Sequence, residues 1–317
     1  MKGLRLGAVV LLDALGFKGI WNRTDPKSVL HQLKRLKREG QNLQGIDRSG
    51  VLLQADALDH RVRCISDTII VAVTLRDSAI GHYPERPIYR AMLSAALIAS
   101  HMMGFALDGS PQFLFRGCMA TGRLNIDGDF LIGPAIDEAA ELFEQSDGPF
   151  FWMAPSALRI NDSYADTFVD RIEPNLMVRY PIPVKNSKSI ETLVHNYFGL
   201  TQSPDQRAIT RENVLHAFGS TELSPEVEKK RCNTLSFLNH IQQIATTSNR
   251  YRKFKFRLPH LEDLTYDQKM YILKHAGPDT LLRQTRTQGS RNYYVAHPRF
   301  NCLFGADICQ TASMVDS

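Results

Sequence analysis

The sequence predicts an α+β fold: a central, mostly antiparallel sheet flanked by helices, with a mainly helical C-terminal extension. Three observations predict it. Over the first half of the chain, short apolar runs and helical stripes follow the order strand, helix, two strands, helix, strand, short strand, helix, strand. The two consecutive strands are separated only by Ser66-Asp67, so they pair as a central hairpin. Helices on either side of such a hairpin make a ferredoxin-like sandwich. A three-layer α/β fold is the alternative, but the helices are too sparse for a doubly wound sheet.

Leu6 to Leu12, with Val9-Val10 at its centre, reads as a central strand. Asp25-Pro26 opens a helix whose buried stripe is Val29, Leu30, Leu33 and Leu36, and Glu39-Gly40 is its expected stop. Residues 41 to 58 carry weak signals and read as a loop or short elements. Val62 to Ile65 and Ile69 to Leu75 form the hairpin, and Pro87 to Met103 is an apolar helix ended by Gly104. Gln112 to Thr121 returns to a strand, and Asn125-Ile126-Asp127-Gly128-Asp129 is a strong turn before the short strand Phe130 to Ile132. Gly133-Pro134 starts a helix over Ala135 to Gln145, and Phe150 to Met153 is a further strand.

A catalytic-looking domain therefore spans residues 1–180, up to Met177-Val178-Arg179-Tyr180 and the prolines Pro181 and Pro183. An extension, residues 181–317, reads as helices over 189–198, 205–217 and 224–247, the last capped by Ser224-Pro225-Glu226. A further helix is expected over 264–276, then a polar, irregular tail from about Thr285.

The 317 residues are 43% hydrophobic, enough for one large core or two smaller ones. Net charge is +5, a mild excess that argues against DNA or RNA as partner. Its clusters, such as Lys34-Arg35 with Lys37-Arg38 and Lys229-Lys230-Arg231, read as solvated helix faces. The five cysteines form no CxxC pair or zinc pattern, and Cys64 and Cys118 read as small core residues. A reducing cytoplasmic setting is expected, with no signal peptide and no apolar run of the ~20 residues that a membrane span needs.

Two aspartates interrupt apolar strands. Asp13 ends the first strand, and Asp67 sits at the hairpin tip. A buried charge costs several kcal/mol unless it is paired or bound to metal. Adjacent strands lie ~5 Å apart, so both carboxylates could hold divalent metal against a polyphosphate. The bland alternative is a turn aspartate at 67 and a capping aspartate at 13. After the strand, Gly16-Phe17-Lys18-Gly19 could offer backbone N–H groups to phosphate, with Lys18 as a contact; equally, Phe17 is packing and Lys18 a solvent lysine. Arg63 shares strand parity with Ile65 and Asp67, so it can pair with a carboxylate or read a base edge. Thr121 and Ser66 are small hydroxyl residues that could do either job. Arg116 interrupts the strand of Phe113 to Met119 and wants a carboxylate or phosphate, or else marks an edge strand. Asp137 and Glu141, spaced i,i+4, are an acidic helix start or a pair with a cation between them.

Together, LLDALGFKG (11–19), CISDTI (64–69), RGCMATGRL (116–124) and GPAIDEAAELFE (133–144) resemble the class III nucleotidyl cyclase catalytic domain over residues 6 to 160. The resemblance implies two Mg²⁺ or Mn²⁺ ions on Asp13 and Asp67, with the carbonyl of Ala14 as a backbone ligand, in a head-to-tail homodimer. It implies attack of a ribose 3′-hydroxyl on the α-phosphorus, with loss of pyrophosphate. The sequence departs from the family where its transition-state asparagine and arginine fall on Asp137 and Glu141, which leaves Arg116 and Arg123 as candidates for that positive charge. The family's purine-reading positions fall on Arg63 and Phe130, which fit no adenine pattern. The same segments look like the bacterial pyrimidine cyclases of the Pycsar antiphage defence system. These make cyclic UMP or cyclic CMP, which switches on a partner effector. A uridylate cyclase acting on UTP is the resulting expectation. A cytidylate or other class III cyclase, a silent nucleotide-binding module, a dimerising scaffold and a two-metal polymerase-like palm are the alternatives.

Overall fold

The computed structural model describes residues 3–17, 20–22, 24–47, 58–76, 85–127, 130–164, 176–185, 188–198, 204–219 and 223–247, and the backbone of 283–287 and 291–295. The core is the expected α+β ferredoxin-like arrangement. An eight-stranded mixed sheet runs in the order β2-β3-β1-β4-β6-β8-β7, with β5 paired to β4. Its strands are β1 (Arg5–Ala14), β2 (Leu58–Ile65), β3 (Thr68–Leu75), β4 (Phe115–Asp127), β5 (Phe130–Ile132), β6 (Phe151–Met153), β7 (Met177–Val184) and β8 (Lys188–His195). Among the described residues only β4 and β6 pair in parallel. The helices are α1 (Pro26–Asp47), α2 (Glu85–Leu107), α3 (Pro134–Leu142), α4 (Pro155–Tyr164), α5 (Pro204–His216) and α6 (Pro225–Thr247).

β1 is central because Ala8, Val9, Val10 and Leu12 are fully buried on both of its faces. It pairs antiparallel with β3 and with β4, which sets Asp13 opposite Thr68 on one side and Arg116 on the other. In the pleat, Asp13, Leu11, Val9, Arg116, Cys118 and Arg63 share one face, and Val10, Leu12, Val71 and Met119 share the other. α3 packs along β4 and β1 on the Asp13 face: a Cβ added at Gly122 would lie 3.5 Å from the Ala135 methyl.

Several elements differ from the sequence-based expectation. α1 does not stop at Gly40, because that glycine serves close packing: a Cβ there would come 2.6 Å from Val62 of β2. α2 likewise runs past Gly104. Its stretch Pro87–Leu107 has mean hydropathy 1.3 and by length and composition could cross a bilayer, yet 67% of its most apolar part is buried against the sheet and its neighbouring helices, as in a core helix. β4 extends through Asn125 to Asp127, so the hairpin reverses later than expected, with Asp127 opposite Phe130. α4 is an unexpected helix, although Pro155 at its first position is a start signal.

Where a helix was expected over 189–198, strand β8 runs through His195 instead, and alternating Ile190, Thr192 and Val194 explain the choice. Pro181 and Pro183 do not end the sheet. They sit in β7, the edge strand, where a missing N–H is tolerated. The sheet thus continues past residue 180. α5 and α6 follow as expected. The tail holds a separate antiparallel pair, β9 (Arg283–Thr287) and β10 (Arg291–Val295), where an irregular segment was expected. The helix expected over 264–276 lies outside the described residues.

Candidate active site

Asp13 is carried to the end of β1 by the buried run that precedes it. Two backbone bonds fix that end. Ala14 N–H donates to the carbonyl of Asp67 at 3.0 Å, and Leu15 N–H donates to the carbonyl of Leu114 at 2.7 Å. The first ties the tip of the β2–β3 hairpin directly beside Asp13. The hairpin reverses through Ser66, whose φ of 55° lies in the left-handed region. The two aspartates read as a pair in the sequence are therefore neighbours.

The Asp13 carboxylate is held by Arg116. Arg116 Nε and Nη2 donate to Asp13 Oδ2 at 3.2 and 3.1 Å, and the Arg116 and Asp13 side chains keep only 13% and 17% of their surface. Both bonds converge on Oδ2 and leave Oδ1 outside the pair. Arg116 Nη1 also donates to the carbonyl of Glu144 at 3.4 Å, and Nη2 lies 3.6 Å from Glu144 Oε2. Lys185, just beyond β7, reaches the same Glu144 carboxylate at 3.8 Å. Burial raises the Asp13 carboxyl above the ordinary carboxylate range; Arg116 pulls it down, and the nearby charges of Asp67 and Glu144 push it up further. Glu144 went unnoticed in the sequence, because its link to Arg116 exists only once α3 folds back along β4.

The other candidates divide between this place and elsewhere. Gly16 follows β1 with φ of 72°, a conformation that favours glycine. Phe17 packs edge-on to Trp21 at 5.6 Å and against Phe113 at 6.2 Å, in line with the packing alternative. Lys18 and Gly19 lie outside the described residues. Arg63 is half-buried on the Asp13 face, with Nη1 donating to the carbonyl of Val62 at 3.4 Å. Arg123 stands exposed opposite Leu6, seven positions beyond Arg116 along β4, or about 23 Å at strand rise. Phe130 is 78% exposed on β5, at that same far end. Asp137 and Glu141 are exposed on α3, with Asp137 in its first turn.

Hard carboxylate oxygens at adjacent strand ends suit Mg²⁺ or Mn²⁺ by donor chemistry. Among the described residues no group of three or more His, Cys, Asp or Glu side chains is placed to hold a metal ion. Asp13 and Asp67 would thus supply two donors, with backbone, water or phosphate oxygens filling the rest. The residues fit such an ion to that extent, since Asp13 is a desolvated carboxylate with an acidic neighbour. Cys118 is buried in the core and Cys64 is half-buried against it; both are free thiols pushed up by burial, Cys64 to about 11.

No family model and no curated protein matches the chain. Solved structures do resemble it. The guanylyl cyclase domain of the RhoGC fusion protein from the fungus Blastocladiella emersonii is 16% identical, with 60% of this chain and 96% of that chain covered and a TM-score of 0.40. The adenylyl cyclase CyaB from P. aeruginosa is 14% identical over 61% of this chain and 95% of that chain, with a TM-score of 0.41. The catalytic core of a rhodopsin-guanylyl cyclase with converted specificity, in complex with ATPalphaS, is 17% identical over 61% and 96%, with a TM-score of 0.41. At these identities and scores the likeness says nothing of this chain's activity, base or metal.

Proposed function

We propose that this protein is a nucleotidyl cyclase that converts UTP to 3′,5′-cyclic UMP and pyrophosphate. One observation carries the reading: Asp13 and Asp67, singled out as interrupted apolar strands, come together at one sheet end through the 3.0 Å bond from Ala14 to Asp67. Asp13, Asp67 and the carbonyl of Ala14 would hold two Mg²⁺ or Mn²⁺ ions. Bound there, the ions supply a lowered pKa for the attacking 3′-hydroxyl and positive charge against the triphosphate. Gly16 and the backbone after β1 would face the phosphates. Arg63, on the same face as Asp13, offers donors for the 2-oxo group of a pyrimidine. Asp137 and Glu141 cannot stabilise developing negative charge, so that task falls to Arg116, already at the site. Arg123 lies too far along β4 to help within one chain, and would serve only across a homodimer. The cyclic nucleotide would act through a downstream effector in antiphage defence.

The test is product analysis. Purified protein with Mn²⁺ is given ATP, GTP, CTP and UTP separately, and products are identified by chromatography and mass spectrometry. Cyclic UMP from UTP is the expected outcome. A cyclic product from another triphosphate instead keeps the cyclase and overturns the base assignment. No product from any of the four overturns the enzyme reading.

One observation favours a second reading, a catalytically silent nucleotide-binding or scaffold dimer. Arg116 already neutralises Asp13, and acids occupy 137 and 141. A silent nucleotide binder shows nucleotide-dependent thermal stabilisation without turnover, and a scaffold shows neither.

A further inference from the structure

Arg116 stands between two carboxylates. Its Nη2 donates to Asp13 Oδ2 at 3.1 Å and lies 3.6 Å from Glu144 Oε2, while Nη1 donates to the Glu144 carbonyl at 3.4 Å. The two acids are not alike. The Asp13 side chain keeps 17% of its surface and that of Glu144 keeps 54%. A desolvated carboxylate needs a cation, whereas one half in water holds its charge without help. Arg116 therefore rests on the acid that needs it more, with a second seat just beyond hydrogen-bond reach.

That second seat is fixed from behind by the C-terminal extension. The segment 144–148 is laced to the end of β7. Lys185 N–H donates to the carbonyl of Gln145 at 3.0 Å, Asp147 N–H donates to the carbonyl of Pro183 at 2.8 Å, and Lys185 Nζ lies 3.8 Å from Glu144 Oε2. α6 clamps the same segment. Lys229 pairs with the buried Asp147 carboxylate at 2.7 Å, and Asn233 Nδ2 donates to the Asp147 carbonyl at 2.7 Å.

A divalent ion and the Arg116 guanidinium compete for the same carboxylate. Both Arg116 bonds fall on Asp13 Oδ2, and two positive charges on one carboxylate repel. Among the described residues Glu144 is the only other acid in ion-pair contact with Arg116, so it is where a displaced guanidinium goes. We infer that Arg116 is a displaceable stopper on Asp13, that cation entry moves it onto Glu144, and that Glu144 is a positioning residue whose carboxylate, set by the extension, governs how readily Asp13 is freed. The inference rests on the reading of Asp13 as a metal ligand and adds regulation of that site by α6.

The test is Mn²⁺ binding to the full chain without nucleotide, read from the electron paramagnetic resonance signal of free Mn²⁺. Saturable binding that Asp13→Asn removes is expected. Arg116→Gln should tighten it about tenfold or more, because the competing charge is gone. Glu144→Gln should weaken it about tenfold, as loss of a group behind a metal ligand does. The double variant decides the route. Glu144 acts through Arg116, so Glu144→Gln should change nothing once Arg116→Gln is in place. A loss that persists in that background, affinity unmoved by Arg116→Gln, saturable binding that survives Asp13→Asn, or no saturable binding in the parent and Arg116→Gln alike overturns the proposal. Lys229→Gln keeps the test open should Arg116→Gln fail to fold, as judged by circular dichroism. Removing a positive charge by itself tightens a cation site, so weaker Mn²⁺ binding in Lys229→Gln is expected only if α6 holds the segment that carries Glu144; tighter or equal binding overturns that role. Product formation is a separate readout. Cyclic UMP with affinity unmoved by Arg116→Gln overturns the stopper and leaves the cyclase, and the expected affinities without product do the reverse.

Discussion

At one end of β4, Arg116 is paired with Asp13 across the β1 register and its side chain keeps 13% of its surface; seven residues on, Arg123 stands exposed opposite Leu6. The two were equal candidates in the sequence for the same missing positive charge. The difference lies in what surrounds each. Arg116 meets a desolvated carboxylate from the neighbouring strand and the carbonyl end of the α3 segment at Glu144. Arg123 meets the edge of the hairpin, where Gly133 packs against its carbonyl so closely that a Cβ would lie 2.6 Å away. One end of the strand is a place where charge is concentrated and shielded from water. The other is a close-packed turn with its polar groups in solvent.

The sharpest way to break this comparison is at the carboxylates. Asp13→Asn and Asp67→Asn should each lower product formation on the order of 10³-fold, as loss of several kcal/mol of metal-assisted stabilisation requires. Full turnover in either, with folding intact, would end the two-metal reading. Next comes the arginine pair itself. Arg116→Ala leaves Asp13 as an uncompensated, mostly buried charge and should cost on the order of 3 kcal/mol in urea unfolding. Arg123→Ala should stay within about 0.5 kcal/mol, as exposed sites do. Equal effects would show that the two ends are built alike.

A pH test separates the charged end from the core. His195 is fully buried between Phe151, Tyr197 and Ser100, and burial lowers it to about 4. The unfolded chain takes up its proton near pH 6.5 and the folded one only near 4. Stability should therefore fall by about 3 kcal/mol as pH drops across that window. His195→Gln should flatten the slope in pH-dependent melts. Asp13 has the opposite sign. Its raised folded pKa means that its contribution is present at low pH and is lost as pH rises through that pKa. Asp13→Asn should remove this smaller term, and a steeper acid loss of stability in the variant than in the parent is the expected result.

Much of the core was legible because its signals are local. The apolar run of β1, the Ser66-Asp67 reversal and the Gly133-Pro134 helix start need only neighbouring residues to be read. The errors came where a residue has two uses. Gly40 looked like a helix stop and is a packing glycine under Val62. Pro181 and Pro183 have the look of a boundary yet lie in an edge strand, and the helix expected after them gives way to the β-branched alternation of β8. Whether a proline or glycine ends an element depends on the element beside it, which one-dimensional spacing does not show.

The order of residues alone marked Asp13 and Asp67 as anomalous, because a carboxylate within an apolar run demands compensation wherever the chain places it. It determined too that a sheet with helices would form, since hydrophobic periodicity is a property of the chain alone. What compensates Asp13 emerges from packing across the sheet. Arg116 reaches it from 103 residues away through the β1–β4 register, and the return of α3 along β4 brings Glu144 to that same arginine. Contacts of that separation are set by how strands align and helices pack, and no local pattern encodes them.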